Sequence, residues 1–183
     1  AKENGGTVTG SGMQDVFWAN LITTLTGAAH RIESIEGRTS INMDELGPMV
    51  AEFYAVGKKA DDIYKMIEKN EKLPLGDEVV CLRMDLENQI SDLGLTAKTI
   101  TESVKPIILD HDLPSKAFNK DIPAGDVTGL DNTIVIDTVE GIPFKATQTA
   151  KVYEKGEQDI NEWIIKGEPT IHMRNDNPPT LLG

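Results

Sequence analysis

The first half of the chain carries apolar residues mostly at helical spacing, interrupted by one alternating stretch. Residues 13–29 place Val16, Leu21 and Leu25 on one apolar arc, which predicts a helix buried on much of its surface. Residues 30–41 alternate between polar and apolar positions and predict a strand. Three further helices are predicted: one near residue 43 with a restart at Gly47-Pro48, one over 59–70, and one over 77–93 that ends at Gly94.

After Gly94 the pattern changes to a period of two. Residues 95–109 alternate like a long strand, in which Pro106 must lie on a sheet edge or at a strand end. Residues 110–125 are expected to form a loop, and further strands are predicted around 134–136, 144–153, 163–165 and 170–173. Helices followed by a strand meander indicate an α+β fold, with helices packed on one face of a mostly antiparallel sheet.

Composition narrows the classes of function. The 183 residues, 39% hydrophobic and 26% charged, are sufficient for a sizeable core in one domain or a small pair. The net charge of −12 argues against a nucleic-acid partner, and no apolar run approaches the roughly 18 residues that span a membrane. The acidity is expected to be a solvated surface or, alternatively, to attract an amine substrate. A polar N-terminus without a leader favours a cytoplasmic location.

The sequence predicts neither an internal disulfide nor a metal site. The single Cys81 excludes an internal disulfide and a cysteine-built metal site, and it is expected in the core. His30 and His111 stand apart from other metal-ligand types, so no metal site is predicted.

The segment Gly10-Ser11-Gly12 joins a short β-prone run to the first predicted helix. Such a joint leaves backbone N–H groups at the helix start open to a ligand, although a simple tight turn explains the glycines equally well. It is not a dinucleotide fingerprint, because Asp15 occupies the position of the third glycine. Asp15 and its neighbour Gln14 either complete the first turn of the helix or face a substrate amine.

A second group of candidate residues lies near the C-terminus. His172 and Arg174 alternate on one predicted strand face, and Asn175 follows. Arg174 is suited to binding a substrate carboxylate, and His172 is suited to transferring a proton. The alternative is that both are simply polar side chains on an exposed strand.

Two blocks of the sequence carry a family resemblance: Gly10 to Ile22, and Gly167-Glu168-Pro169 through Arg174 to Thr180. In them the chain resembles the 2,4-diaminopentanoate dehydrogenases, a group similar to dihydrodipicolinate reductase. The resemblance implies a two-domain enzyme with a Rossmann domain for NAD or NADP and an α+β domain for substrate binding and subunit pairing. This chain is similar to the second domain alone. Residues 1–12 would be the end of the nucleotide-binding domain, 13–174 the substrate-binding and dimerisation domain, and 175–183 a linker back.

The implied reaction is oxidative deamination of 2,4-diaminopentanoate to 2-amino-4-oxopentanoate, with hydride passing to the nicotinamide. Arg174 would bind the carboxylate and Asp15 an ammonium group, and the base would be either His172 or a residue of the Rossmann domain. The other implied substrate contacts are Gly10, Ser11, Gly12, Gln14 and Asn175, with Gly10 and Gly12 also lying under the nicotinamide. The isolated chain is expected to be inactive.

Two alternatives remain at this point. A C=N reductase of the dihydrodipicolinate reductase type ranks lower, because its histidine-rich, lysine-bearing block is not found in this sequence. A non-catalytic oligomerisation or ligand-sensing module would use the same fold. A homodimer or higher homo-oligomer is expected, formed through a sheet face thought to expose Ile134, Ile136, Trp163 and Ile165.

Overall fold

The computed structural model describes residue 5, residues 14–69 and residues 80–175. In these ranges the helical elements are a π-helix Gln14–Asn20, α1 Leu21–Thr26, a 3₁₀ turn Met43–Glu45, α2 Pro48–Phe53, α3 Ala60–Glu68 and α4 Val80–Asp92. The strands are β1 Arg31–Asn42, β2 Ala97–Ile108, β3 Leu113–Ser115, β4 Lys120–Ile122, β5 Val127–Thr138, β6 Phe144–Lys151, β7 Ile160–Glu168 and β8 Ile171–Asn175.

Most predicted elements are confirmed, with two local differences. The helix predicted over 13–29 is divided, because its first seven described residues adopt the wider π geometry before α1 begins. The loop predicted over 110–125 contains the short hairpin β3–β4, in which Leu113 pairs with Ile122 and both are buried. Each strand of the hairpin has only three residues, which is too short to give a visible alternation in the sequence.

Six strands form one sheet in the order β2-β5-β6-β1-β7-β8. All neighbouring pairs are antiparallel except β1 and β6, which run parallel. The predicted position of Pro106 is confirmed, because β2 is an edge strand. The sheet is therefore mostly antiparallel, as the sequence indicated.

The two faces of the sheet differ in character. One, the covered face, carries apolar side chains that pack under the helices; the other, the open face, carries mostly polar ones. The expectation that Ile134, Ile136, Trp163 and Ile165 form an exposed patch is wrong, because all four lie on the covered face and are buried. Alternation along a strand predicts two faces but does not say which of them the helices cover.

The apolar side chains of the covered face fall into two clusters. The first joins Trp18 and Ile22 to α4 and to the halves of β1, β5, β6 and β7 that contain Ile35 and Trp163. The second joins α2, α3 and the β3–β4 hairpin to the opposite halves of β1, β5 and β6. Within the described ranges, no helix combines the length and hydropathy needed to cross a bilayer.

Candidate functional site

A row of four polar side chains separates the two apolar clusters on the covered face. Thr39 on β1 is paired in register with Gln148 on β6 and with Asn161 on β7, and Gln148 is paired with Asn132 on β5. Because these residues are directly opposite one another, their side chains form a line across four adjacent strands. We call Thr39, Asn132, Gln148 and Asn161 the polar row.

The polar row is buried and incompletely hydrogen-bonded. Relative exposure is 1% for Thr39, 2% for Asn161, 3% for Asn132 and 5% for Gln148. Within the described part of the chain, Oγ1 of Thr39, both amide atoms of Asn132 and Nδ2 of Asn161 have no hydrogen-bond partner. Since buried polar groups are normally paired, such a concentration of open donors and acceptors is typical of a ligand site.

Asn161 is held in one orientation by Trp163. The indole Nε1 of Trp163 donates to Oδ1 of Asn161 at 3.1 Å. An indole nitrogen only donates, so the oxygen of Asn161 must be the atom that faces it. The amide group Nδ2 of Asn161 is thereby left as a buried donor that needs an acceptor.

Sequence reasoning missed the polar row, although a signal for it was present. Asn132 lies on the same face of its strand as Ile134 and Ile136, and Asn161 lies on the same face as Trp163 and Ile165. A polar residue at an inward position in each of four strands is uncommon, because an unpaired buried amide costs about 1–3 kcal/mol. The pattern is recognisable only once the register aligns the four positions.

The π-helix packs above the first apolar cluster and is attached to α4. Trp18 is buried, and the side-chain amide of Gln89 on α4 donates to the carbonyl oxygen of Trp18. In the described residues, Nε1 of Trp18 and Oε1 of Gln89 have no partner. π-helical turns are rare and occur often at functional sites. This π-helix follows closely after Gly10-Ser11-Gly12, the segment that is predicted to contact a ligand.

The joint itself lies outside the described residues. Nothing in the structure places Gly10, Ser11 or Gly12, and the side chains of Gln14 and Asp15 are likewise not described. Their assignment to substrate and nicotinamide stays a prediction. The domain limits 1–12 and 175–183 also fall almost wholly outside the described ranges, apart from Gly5 and from Asn175, the last residue of β8.

Two of the C-terminal candidates share a cavity with one end of the polar row. A cavity of about 210 Å³ lies where β7 begins and β8 ends. Asn161, Arg174 and Asn175 all contribute to its lining, together with Arg38 and Asp159. Asn175 is paired in register with Asn161, so it extends the polar row to β8. The structure therefore places both Arg174 and Asn175 in one cavity with Asn161.

His172 lies on the open face, away from the π-helix. Its Nε2 is 2.8 Å from Oε1 of Glu162, whose other oxygen is 3.2 Å from Nη2 of Arg38. Arg174 is paired in register with Glu162 on the same face. The structure thus groups His172 with Glu162, and it does not bring His172 together with the polar row.

The remaining titratable candidates do not form a metal site. No group of three or more His, Cys, Asp or Glu side chains is arranged to hold a metal ion in the ranges that the structure describes. His111 bridges two loops, with Asp110 at 3.0 Å and Glu154 at 3.2 Å. The hydrogen bond to Asp110 raises the pKa of His111 above its ordinary value.

The described residues also do not fit a dinucleotide. Among them β1 and β6 are the one parallel pair. The chain between these two strands contains α2, α3, α4 and the long strands β2 and β5, so it is not a single helical crossover. A nucleotide cradle of the βαβ type is therefore not formed by this part of the chain.

Comparison with known proteins gives a match among solved structures. No protein-family model and no curated protein matches the chain. The structure of an amine dehydrogenase from Mycobacterium smegmatis matches with 37% sequence identity and a TM-score of 0.85, over 99% of this chain and 52% of that one. The chain thus spans about half the length of the solved relative. The chain has the same fold as the matched half of that amine dehydrogenase.

Proposed function

We propose that this chain is the substrate-binding and dimerisation part of an NAD(P)-dependent amine dehydrogenase. The observation that carries the proposal is the 37% identity to an amine dehydrogenase along 99% of the chain. The cofactor, NAD or NADP, is then bound mainly by a part of the enzyme outside this chain, and the isolated chain is inactive. We also propose a cytoplasmic location.

The polar row is the proposed substrate site. Oxidation of an amine requires that the reacting carbon and nitrogen be held in one orientation and shielded from water. The polar row supplies unpaired hydrogen-bonding atoms at a buried position, with apolar side chains on both sides. When bound, the nicotinamide accepts the hydride that the substrate carbon releases. The chain's own residues bind and orient the amine.

The finer proposal is that the substrate is 2,4-diaminopentanoate, which is converted to 2-amino-4-oxopentanoate. Its support is the sequence resemblance together with the cavity that Arg174, Asn175 and Asn161 share. A guanidinium beside an amide-lined position suits a substrate that carries a carboxylate and an amine. In this proposal Arg174 binds the carboxylate and Asp15 an ammonium group. His172, the base expected from the sequence, lies on the open face beside Glu162, so the base is proposed to come from the cofactor-binding part of the enzyme.

The test is an assay of the enzyme that contains this chain joined to its cofactor-binding part. NAD⁺ or NADP⁺ reduction is measured with 2,4-diaminopentanoate and with amines that lack a carboxylate. Turnover of the diamino acid supports the finer proposal, and turnover of other amines alone leaves the amine dehydrogenase but removes this substrate. Reduction of a C=N bond without amine oxidation would overturn the proposed function.

Arg174→Ala tests the carboxylate contact. We expect KM for the diamino acid to rise by about tenfold or more, since a charge-assisted hydrogen bond contributes about 1.5–3 kcal/mol. KM for an amine without a carboxylate serves as the control and is expected to stay unchanged. An equal rise for both substrates would contradict the assigned role.

A further inference from the structure

The outer edge of β2 is a long strand edge that is open to solvent. β2 lies at one end of the sheet and is paired only with β5 among the described strands. From Ala97 to Ser103 every residue of β2 is exposed, and this stretch contains no proline. An edge strand offers a row of unpaired N–H and C=O groups to another strand, and proteins usually keep such edges short or interrupt them. The outer edge of β2 is therefore suited to pairing with a further strand.

Exposed apolar side chains lie on this edge and beside it. Ile100 is 37% exposed, although its partner on β5, Ile136, is fully buried. Met84 is 52% exposed on α4, and its neighbour Arg83 reaches β2 through a contact of 3.3 Å with Glu102. An apolar residue in the middle of an open edge, with another on the helix beside it, favours a surface that a second protein chain covers.

Pro106 shows which residues of β2 direct their backbone groups outward. It lies inside the β2–β5 ladder, and a proline has no N–H to donate. Alternate residues of an antiparallel strand direct N–H and C=O towards the paired strand, so a proline belongs at an outward position. The register has no shift between Thr99 and Ile107. Ile100 and Glu102 therefore point their backbone groups outward, as Pro106 does.

The charges on this edge select one way to pair β2 with a second copy of itself. Two antiparallel copies related by a two-fold axis are centred on one residue, because outward positions must meet outward positions. Centred on Ile100, the pairing sets Lys98 opposite the partner's Glu102, on each side of the axis. No other centre within β2 sets opposite charges against each other, and centres at Lys98 or Glu102 set like charges together, which is destabilising.

We propose that two copies of this chain pair through the outer edges of β2, centred on Ile100, and join their six-stranded sheets into one. The backbone groups of the two Ile100 residues bond to each other at the centre. Lys98 lies where the register on β5 shifts, and its long side chain reaches a residue opposite or diagonal to it. A carboxylate accepts several hydrogen bonds, so Glu102 can contact both Arg83 of its own chain and the partner's Lys98. This inference rests on the subunit pairing in the proposed function and gives that pairing a surface.

Charge reversal followed by mixing tests the proposal. Lys98→Glu and Glu102→Lys each turn both contacts across the axis into like-charge contacts. We expect either variant alone to raise the dissociation constant of the dimer about tenfold or more, measured by analytical ultracentrifugation. A mixture of the two variants restores opposite charges across the axis, so mixed dimers are expected to form with nearly the wild-type constant. Mixing cannot restore contacts inside one chain, such as that of Arg83, so recovery identifies a contact between chains.

Lys155→Glu is the matched control, because Lys155 is exposed in the loop between β6 and β7 and the change in charge is the same. It is expected to leave the dissociation constant unchanged. Ile100→Asp gives a further measurement if Glu102→Lys does not fold, since it sets two carboxylates together at the centre and is expected to weaken the dimer.

Two results would overturn the proposal in different ways. Dimers of the edge variants that are as tight as wild type, or folded variants that do not recover on mixing, would remove β2 as the interface and leave subunit pairing in place. A wild-type protein that stays a single chain at high concentration would remove subunit pairing together with this surface. The mass is measured without substrate, so an error in the proposed reaction would not change either result.

Discussion

Gly37 shows how one residue determines the shape of the candidate site. It is paired with Trp163 across β1 and β7, and a Cβ at this position would lie 2.6 Å from Cη2 and Cζ3 of the indole ring. The ring can therefore lie flat against β1 only because position 37 has no side chain. The same ring orients Asn161, so Gly37 supports the polar row indirectly.

We predict that Gly37→Ala lowers the free energy of unfolding by about 1–3 kcal/mol, because the buried Trp163 must move. Denaturant unfolding followed by tryptophan fluorescence measures the change. An unchanged midpoint would mean that the sheet accommodates the methyl group without displacing the ring.

His111 provides a pH-dependent contact between two loops. The hydrogen bond to Asp110 raises the pKa of His111 in the folded protein. The stabilisation of the fold by protonated His111 is therefore fully present below about pH 6.5, the pKa of an unperturbed histidine, and is lost as the pH rises through the higher pKa of the folded state. We predict that His111→Gln reduces the melting temperature in mildly acidic solution and leaves it unchanged in alkaline solution. Equal effects at both pH values would contradict a charged contact.

At the scale of single residues, the sequence proposed roles that stay predictions. It pointed to Arg174 and Asn175, which line one cavity. It did not reveal Asn132, Gln148 or Asn161, because each appears alone in its strand and only the register places them side by side. It assigned Trp163 to an exposed patch, since alternation does not reveal which face is covered.

Among the elements, α4 makes a well-defined contribution to the core. Leu82, Leu86 and Ile90 are buried in the cluster that also holds Trp18. Their spacing of four residues places them along one face, and Gly94, at φ 69°, follows the end of the helix. This helix and its end were predictable because the spacing is regular and glycine favours the required backbone conformation.

We predict that Leu86→Ala destabilises the protein by about 2–5 kcal/mol, since it removes a fully buried side chain. Met84→Ala on the same helix is the control, because Met84 is 52% exposed, and it should change the free energy of unfolding by about 0.5 kcal/mol or less. Similar costs for the two variants would show that α4 is not packed as described.

The sequence identified most of the regular elements but not the π geometry or the β3–β4 hairpin. The π-helix differs from an α-helix in its hydrogen bonds rather than in its apolar pattern, so periodicity does not distinguish the two over seven residues. The hairpin is short, with three residues in each strand, and its alternation is hidden by charged neighbours.

For the molecule as a whole, the sequence predicted the α+β class and the single-sided arrangement of helices. The expected homodimer stays a prediction, and the four apolar residues first offered for its interface belong to the core instead. We predict that light scattering of the purified protein gives at least twice the chain mass of 20.0 kDa. A mass of one chain at high concentration would remove subunit pairing from the proposed function.

The parallel pairing of β1 with β6 has a consequence for biosynthesis. β1 lies between β6 and β7, so its neighbours on both sides come from the last third of the chain, with Ile35 paired to Phe144 and Ile165. A ribosome that has made β1 but has not yet reached Phe144 has made the strand but neither of its neighbours. Contacts so distant in sequence slow folding, because a long loop must close first. The growing chain therefore carries an unpaired β1 until β6 and β7 have been made, and this nascent strand is where we expect chaperone binding.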